Sequence, residues 1–519
     1  MDSSEQRLEP VTVAPEAVHD MERKGAGHVE LREQGRPDPN SDFVELPPDV
    51  KKRLMWKVDL RTIPMLVSLY LLAFLDRSNI ANAKIEGMLE DLHMAGNQYN
   101  VALSLFFVTY IIFEVPSNAV LEKYFAFRPS WWIGGLTMAW GVMMTLHGVV
   151  NNYGGLLAVR LVMGALEAGF FPGAVLLLNK WYTKFELSAR LAIFYAGAAI
   201  AGAFSGLLAY ALVKMDGLAG VAGWRWIFII EGIVTVAVGV LVPFLLADTP
   251  EKHCSWLTED EQRYLTARLV SQDGGQHVHS KGRNFSWAVF WSVIGDWQLY
   301  VMAVVAWSES IPGYGLKFTM PQIIKNMGYT SSNAQLMTIP PYFCGAISAY
   351  VFGRLSDRFK RRSYFLVIPL VCQIVAYSIL AALSTSIKHH IGACFFAVIL
   401  AAVGSYPLTP GNATWMSNNL AGPSKRAIGL AYLFTLNNCG SVGGSYIYQS
   451  SEAPSYPTGF GCSLAFSVAG IGAVIVLDVV YARINKEKER LTEEEVRDMY
   501  TDEDLAKMGD RSPLFKYTL

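Results

Sequence analysis

Runs of roughly 20 mostly apolar residues, the length that crosses a hydrocarbon core about 30 Å thick, recur along this chain from Arg61 to residue 482. They fall near 61–83, 99–121, 131–150, 154–179, 188–213, 224–247, 296–318, 335–353, 363–384, 391–411, 427–449 and 459–482, about twelve in all. So many such runs predict an all-α integral membrane protein, because a helix satisfies its backbone polar groups within its own segment. Of 519 residues, 52% are hydrophobic and 17% charged; soluble domains carry about 25% charge. The formal net charge of −1 offers no global field for nucleic acid.

Pro312, Pro340 and Pro341 interrupt the seventh and eighth runs, which a bundle tolerates where neighbours or cavity water satisfy the freed backbone groups. The longest polar interruption, 248–285, divides the runs into two sets of six, as in a duplicated transporter. The expected organisation is a polar N-terminal tail (1–58), one six-helix half (59–247), a central loop (248–285), a second half (286–483) and a C-terminal tail (484–519). Within the loop, WLTEDEQRYLTARL at 256–269 predicts an amphipathic surface helix capped by Thr258, with Glu261 three residues on.

Orientation follows from the placement of Lys and Arg. Alternate loops carry Lys123 and Arg128; Lys180, Lys184 and Arg190; Arg354, Arg358, Lys360, Arg361 and Arg362; and Lys425 and Arg426. The opposite loops hold Lys84, Lys214, Arg225, Lys317, Lys325 and Lys388. The first set is expected to be cytoplasmic, together with both termini and the central loop. Lys51, Lys52, Arg53 and Lys57 then meet anionic lipid. The first fifty residues hold no apolar signal region, so the first span does the targeting. The sequons at Asn284 and Asn412 fall on the cytoplasmic side and should stay unmodified. The six cysteines form no CxxC pair and read as small core residues. No HExxH, GxSxG, P-loop or Cys/His constellation occurs, so neither an enzyme, a metal nor a cofactor is expected.

Charges inside the apolar runs are the chemically informative residues. Each costs at least ~2.5 kcal/mol on insertion scales and therefore needs a partner, a cavity or a purpose. The first run contains Asp76 and Arg77 in LDRSNIANA; the fourth contains Arg160 and Glu167 in RLVMGALEAGFFPG. Arg160 and Glu167 lie seven residues, about 10 Å, apart on nearly one helix face, and Asp76 and Arg77 point about 100° apart. Two acids and two bases so placed can neutralise one another and exchange partners when an anion or proton arrives; a static ion-pair cluster is the plainer alternative. Gly164, Gly169 and Gly173 form a small-residue stripe suited to close helix packing, which would bring Arg160 and Glu167 near the first span. Glu114, Glu231, Asp296, Glu309 and Asp478 read as helix-end or capping groups, and His147 as incidental. Asn437 and Asn438, adjacent amides in the eleventh run, are candidate substrate hydrogen-bonders.

GRLSDRFKRR, from Gly353 to Arg362, resembles the loop signature of the major facilitator superfamily. Gly353 would permit tight helix contact, and Asp357 with Arg358, Arg361 and Arg362 could form a latch that breaks and reforms as the halves rock. The corresponding first-half loop, LEKYFAFRPSW, lacks that Asp and most of the basic cluster. Within the superfamily, LDRSNIANA (75–83), FEVPSN (113–118), RLVMGALEAGFFPG (160–173), GWRWIFIIEG (223–232) and TPE (249–251) resemble the anion:cation symporters, specifically the fungal allantoate and nicotinate permease branch. That resemblance implies a twelve-helix fold with two six-helix halves around a central cavity. It implies Arg77 as an anion contact, Tyr110 as a cavity contact, Asp76 and Glu167 as proton carriers and Arg160 as their switching partner.

The expected function is proton-coupled uptake of a small organic anion of allantoate, nicotinate or other carboxylate type by alternating access. The expected partners are that anion, protons and lipid, and the expected protein is a monomer of the plasma membrane. An exporter of a fungal secondary metabolite and a non-transporting nutrient receptor are the alternatives.

Overall fold

The apolar runs fold as helices whose ends are set by local chemistry. The computed structural model describes residues 47–125, 128–250, 256–272, 287–421, 423–501, 505 and 508–519. The first half comprises α1 (Pro48–Ala83), α2 (Gln98–Tyr124), α3 (Pro129–His147), α4 (Tyr153–Glu167), α5 (Phe170–Trp181), α6 (Lys184–Val213) and α7 (Gly223–Leu245). After α8 (Glu259–Gln272) and a short α9 (Trp287–Ile294), the second half comprises α10 (Trp297–Asn326), α11 (Ser331–Leu336), α12 (Ile339–Phe359), α13 (Tyr364–Leu383), α14 (Ile391–Ser405), α15 (Leu408–Asn419), α16 (Pro423–Ile447) and α17 (Pro457–Lys488).

Caps fix several starts. Asn152 Oδ1 accepts from Gly155 N at 2.7 Å to begin α4, and Thr183 and Glu186 form a reciprocal capping box for α6. The surface helix expected at 256–269 is α8. Thr258 N donates to Glu261 Oε2 at 2.9 Å, and Glu261 N donates to Thr258 Oγ1 at 3.3 Å.

Three of the described spans are broken: the fourth at Ala168–Gly169, between α4 and α5, the eighth at Met337–Thr338, between α11 and α12, and the tenth at Tyr406–Pro407, between α14 and α15. Conversely, α10 runs unbroken through Pro312 and Pro321. Among the described residues, eight helical segments are long and apolar enough on their own to cross a bilayer. α3, α6, α10 and α16 pack within the same bundle, α3 along α7, α6 along α1 and α10 along α16.

The glycine stripe of the fourth span packs against α2. A side chain at Gly164 would strike the Phe106 carbonyl, and one at Gly169 would strike Ser117 Oγ. The close approach is therefore to the second span, with Glu167 left to reach α1. Gly353, expected to permit tight helix contact, meets no atom within 4 Å of an added Cβ.

The bundle has two distinct ends. At the basic end, Lys57 Nζ donates to Glu261 at 2.9 Å, Arg190 to Asp59 at 2.8 Å and Arg268 to Glu186 at 2.9 Å, which stitches α1, α6 and α8 together. On the second half, Lys425 binds both Asp296 and Asp510 at 2.9 Å. Tyr517 stacks on Tyr481 at 4.7 Å, Trp415 Nε1 donates to the Thr518 carbonyl at 2.8 Å, and Arg362 N donates to the Leu519 carbonyl at 2.6 Å. The C-terminal segment thus folds back over α15 and α17. Asp296 is a true helix-end group, since Gln298 N donates to its Oδ1 at 3.2 Å.

At the opposite end the two halves bond to each other. Asn100 Nδ2 donates to the Ser445 carbonyl at 2.5 Å, Lys325 Nζ to the Ile85 carbonyl at 2.8 Å, and Gln335 Nε2 to Glu86 Oε1 at 3.0 Å. Tyr342 on α12 covers Gly202 on α6. This end is closed by direct contact between the halves.

Candidate transport site

α1 brings Arg77 to mid-depth, where the halves meet. Its Nη2 donates to Glu167 Oε1 on α4, and its Nη1 donates to Tyr314 Oη on α10 at 3.4 Å. The guanidinium carbon lies 5.1 Å from the ring centres of both Phe106 and Tyr110 and 5.8 Å from that of Phe107, all on α2. Aromatic faces stabilise a cation without neutralising it, so the charge is held yet free to take an anion. Arg77 keeps 19% of its side chain accessible while Glu167 keeps 1%. The ion pair therefore has an exposed base and a buried acid.

Lys317 completes the electrostatics. The loop assignment of this residue is corrected: α10 continues to Asn326, so Lys317 lies within the helix. Its Nζ sits 4.4 Å from the Tyr314 ring centre and 4.6 Å from that of Phe74 on α1. One tyrosine thus touches a cation from each half. Phe107 packs edge-on to Tyr314 at 5.0 Å, which extends the aromatic wall.

Two further acids line this region. Glu309, on α10, faces Lys317 with Thr409 and Asn437 beside it. Glu114, on α2, faces Arg77 with Asn438 beside it. Their places in the interiors of α10 and α2 correct the helix-end reading of both. The paired amides of α16 are therefore divided between one acid of each half.

Asp76 and Arg160 stand differently. Asp76, on the neighbouring face of α1, accepts from Trp140 Nε1 and from Thr235 Oγ1, each at 3.1 Å. Arg160 is 1% exposed, and its Nε and Nη2 have no hydrogen-bond partner among the described residues. The anticipated pairing of Arg160 with an acid is not formed in this conformation; Arg77 occupies Glu167 instead. His147 is fully buried, with its Nδ1 2.8 Å from the Met143 carbonyl and its ring stacked on Phe228.

The segment Gly353–Arg362, the C-terminal turns of α12 and the turn after it, forms its own network at the basic end. Arg362 Nη1 donates to Asp357 Oδ1 at 2.6 Å and to Ser356 Oγ at 3.0 Å, and Arg361 Nη1 donates to Tyr364 Oη at 2.7 Å. Lys360 adopts φ 53°, which turns the chain tightly between α12 and α13. Among the described residues, no group of three or more His, Cys, Asp or Glu side chains could hold a metal ion.

Among the described residues, helical segments in two halves, eight of them long and apolar enough to cross a membrane, meet at a charged, aromatic-lined region, the architecture of a helical membrane transporter. The chain belongs to the Major Facilitator Superfamily, whose family model matches residues 66–314 and 299–498. It is 36% identical to the MFS-type transporter cnsO of Penicillium expansum over 97% of this chain and 98% of that one. It is 30% identical to the major facilitator-type transporter hxnP of Emericella nidulans over 91% of this chain and 94% of that one. Its fold is similar to that of a solved bacterial homologue of the human lysosomal transporter Spinster, at TM-score 0.59 and 15% identity, over 80% of this chain and 94% of that one.

Proposed function

We propose that this transporter takes up a small organic anion of the carboxylate class together with protons, by alternating access, as the resemblance to the allantoate and nicotinate permeases implies. The observation that carries this reading is the meeting of Arg77 and Lys317, one cation from each half, on Tyr314. A carboxylate seated between them bonds both halves at once, so its arrival or departure changes how the halves are held together. Phe74, Phe106, Phe107 and Tyr110 favour a cargo with a flat or apolar body beside its charge.

Coupling follows from shared partners. Cargo that takes Arg77 releases Glu167, and the freed acid either binds a proton or turns to Arg160, whose Nε and Nη2 have no hydrogen-bond partner among the described residues. Asp76 is the second proton carrier. The basic end faces the cytoplasm on this reading, and the Asp357–Arg362 bond is the latch remade as the halves rock. The protein acts in the plasma membrane as a monomer.

The test is uptake of radiolabelled small carboxylates by a permease-deficient yeast expressing this chain, at acidic and neutral pH. Accumulation that rises at acidic pH and disappears in Arg77→Ala supports the reading. Secretion or drug resistance without uptake would reverse the direction.

A further inference from the structure

Away from the cationic site, the seam between α1 and α7 holds two carboxyl groups that no cation bonds. Asp76 Oδ2 is satisfied by Thr235 and Trp140, but its Oδ1 has no hydrogen-bond partner. About one turn further along, Asn79 Nδ2 donates to Glu231 Oε2, and Glu231 Oε1 has no partner. Asp76 is 0% and Glu231 2% exposed. Asp76 and Asn79 lie on one face of α1, while Glu231 and Thr235, four apart, lie on one face of α7. Each helix therefore offers one acid and one neutral donor, and the two pairs cross.

The surroundings are neutral or distant in bonding terms. α6 contributes Ser205, whose Oγ donates to Asn79 Oδ1 at 3.3 Å and accepts from Asn82 at 2.9 Å. α3 contributes Trp140. Glu167 and Arg160 face Asp76 from α4, and Arg77 follows it on α1. Arg77 is bound to Glu167, and neither Arg77 nor Arg160 bonds Asp76 or Glu231 among the described residues. Two ionised carboxylates so enclosed, each with an oxygen unsatisfied, would carry a large desolvation cost. One proton removes a charge and supplies a donor.

We propose that Asp76 and Glu231 hold one proton between them, so that Glu231 is a further proton-holding residue, set off the cargo path and reached through Asp76. The proton's presence stands on this geometry alone; its use in transport rests on the proton-coupled reading above.

Infrared difference spectroscopy of the purified full-length protein in lipid nanodiscs at neutral pH reads the carbonyl stretch of protonated carboxyl groups. Glu231→Gln, Asp76→Asn and the double variant should each remove the same one-carboxyl share of that band, because the introduced amide supplies the donor that the shared proton supplied and the remaining acid ionises. The proposal is overturned if Asp76→Asn leaves the band intact, if the double variant removes twice the share of a single one, or if no variant changes it. Should Glu231→Gln fail to fold by size-exclusion chromatography, Asp76→Asn against wild type decides between a shared proton and one held by Glu231 alone. In proteoliposomes, Glu231→Gln should keep counterflow within about twofold while acid-driven uptake falls at least about tenfold. A wild-type protein without acid-driven uptake, but with the shared-proton band pattern, supports the pair and overturns the coupling reading.

Discussion

Arg77 on α1 donates to Glu167 on α4 through one amine and to Tyr314 on α10 through the other, so a single guanidinium ties the two halves at mid-depth. The acid it neutralises is buried beneath it, while the arginine keeps an accessible face. An incoming carboxylate therefore competes with Glu167 for Arg77. In the proposed cycle that competition is the physical basis of coupling.

Arg77→Ala should abolish saturable uptake, because it removes the anion contact and leaves Glu167 buried without its partner, a loss of about 3–5 kcal/mol for a broken buried pair. Arg77→Lys should not restore it, since one ammonium cannot reproduce the planar fork between Glu167 and Tyr314 or its packing on three rings. Initial uptake rates, normalised to protein in the membrane, check both variants.

Glu167→Gln should stop acid-driven uptake yet preserve counterflow of labelled against unlabelled cargo. The amide keeps the size of the acid but can neither lose a proton nor neutralise Arg77. Loss of both activities would remove Glu167 from the coupling scheme.

Lys317→Gln should raise KM about tenfold, the order expected for losing one partly exposed charge contact, with kcat changed less. Lys317→Arg should recover much of the affinity, because the ring of Tyr314 accepts either cation. Concentration dependence of uptake separates the two parameters.

Packing gives a prediction independent of cargo. Gly169→Ala should destabilise the purified protein by about 1–3 kcal/mol, because its methyl group must displace Ser117 at the junction of α4 and α5. Gly353→Ala meets open space and should leave the melting temperature unchanged.

Much of the fold was legible in the apolar runs, because bilayer thickness sets a length that sequence displays directly. The charges within those runs pointed to Asp76, Arg77, Arg160 and Glu167, and the structure brings Arg77 and Glu167 into contact. Partner choice was not legible. Asp76 bonds Trp140 and Thr235, which lie far away in sequence and carry no charge to advertise the contact.

Lys317 was missed for a different reason. The seventh apolar run ends at 318 while α10 continues to Asn326, so a residue well inside the helix stood at the edge of the run and was counted with the loop. Glu114 and Glu309 stand inside their apolar runs, but without a visible partner in the sequence a snorkelling or capping role is the ordinary explanation for a lone carboxylate. Adjacent amides at Asn437 and Asn438 were the one available signal that polar partners stood opposite them. The fold-back of the C-terminal segment onto Trp415, Asn419 and Tyr481 left no periodic trace, since it is built from single contacts along irregular chain.

The central claim is that a carboxylate cargo binds on Arg77 and travels with protons. The most direct measurement is uptake of a panel of radiolabelled small carboxylates into proteoliposomes holding the purified protein, with and without an inward proton gradient and no other driving ion. At least one carboxylate should accumulate above equilibrium only with the gradient, and Arg77→Ala should remove this accumulation. Accumulation indifferent to the proton gradient, or undiminished in Arg77→Ala, would contradict it.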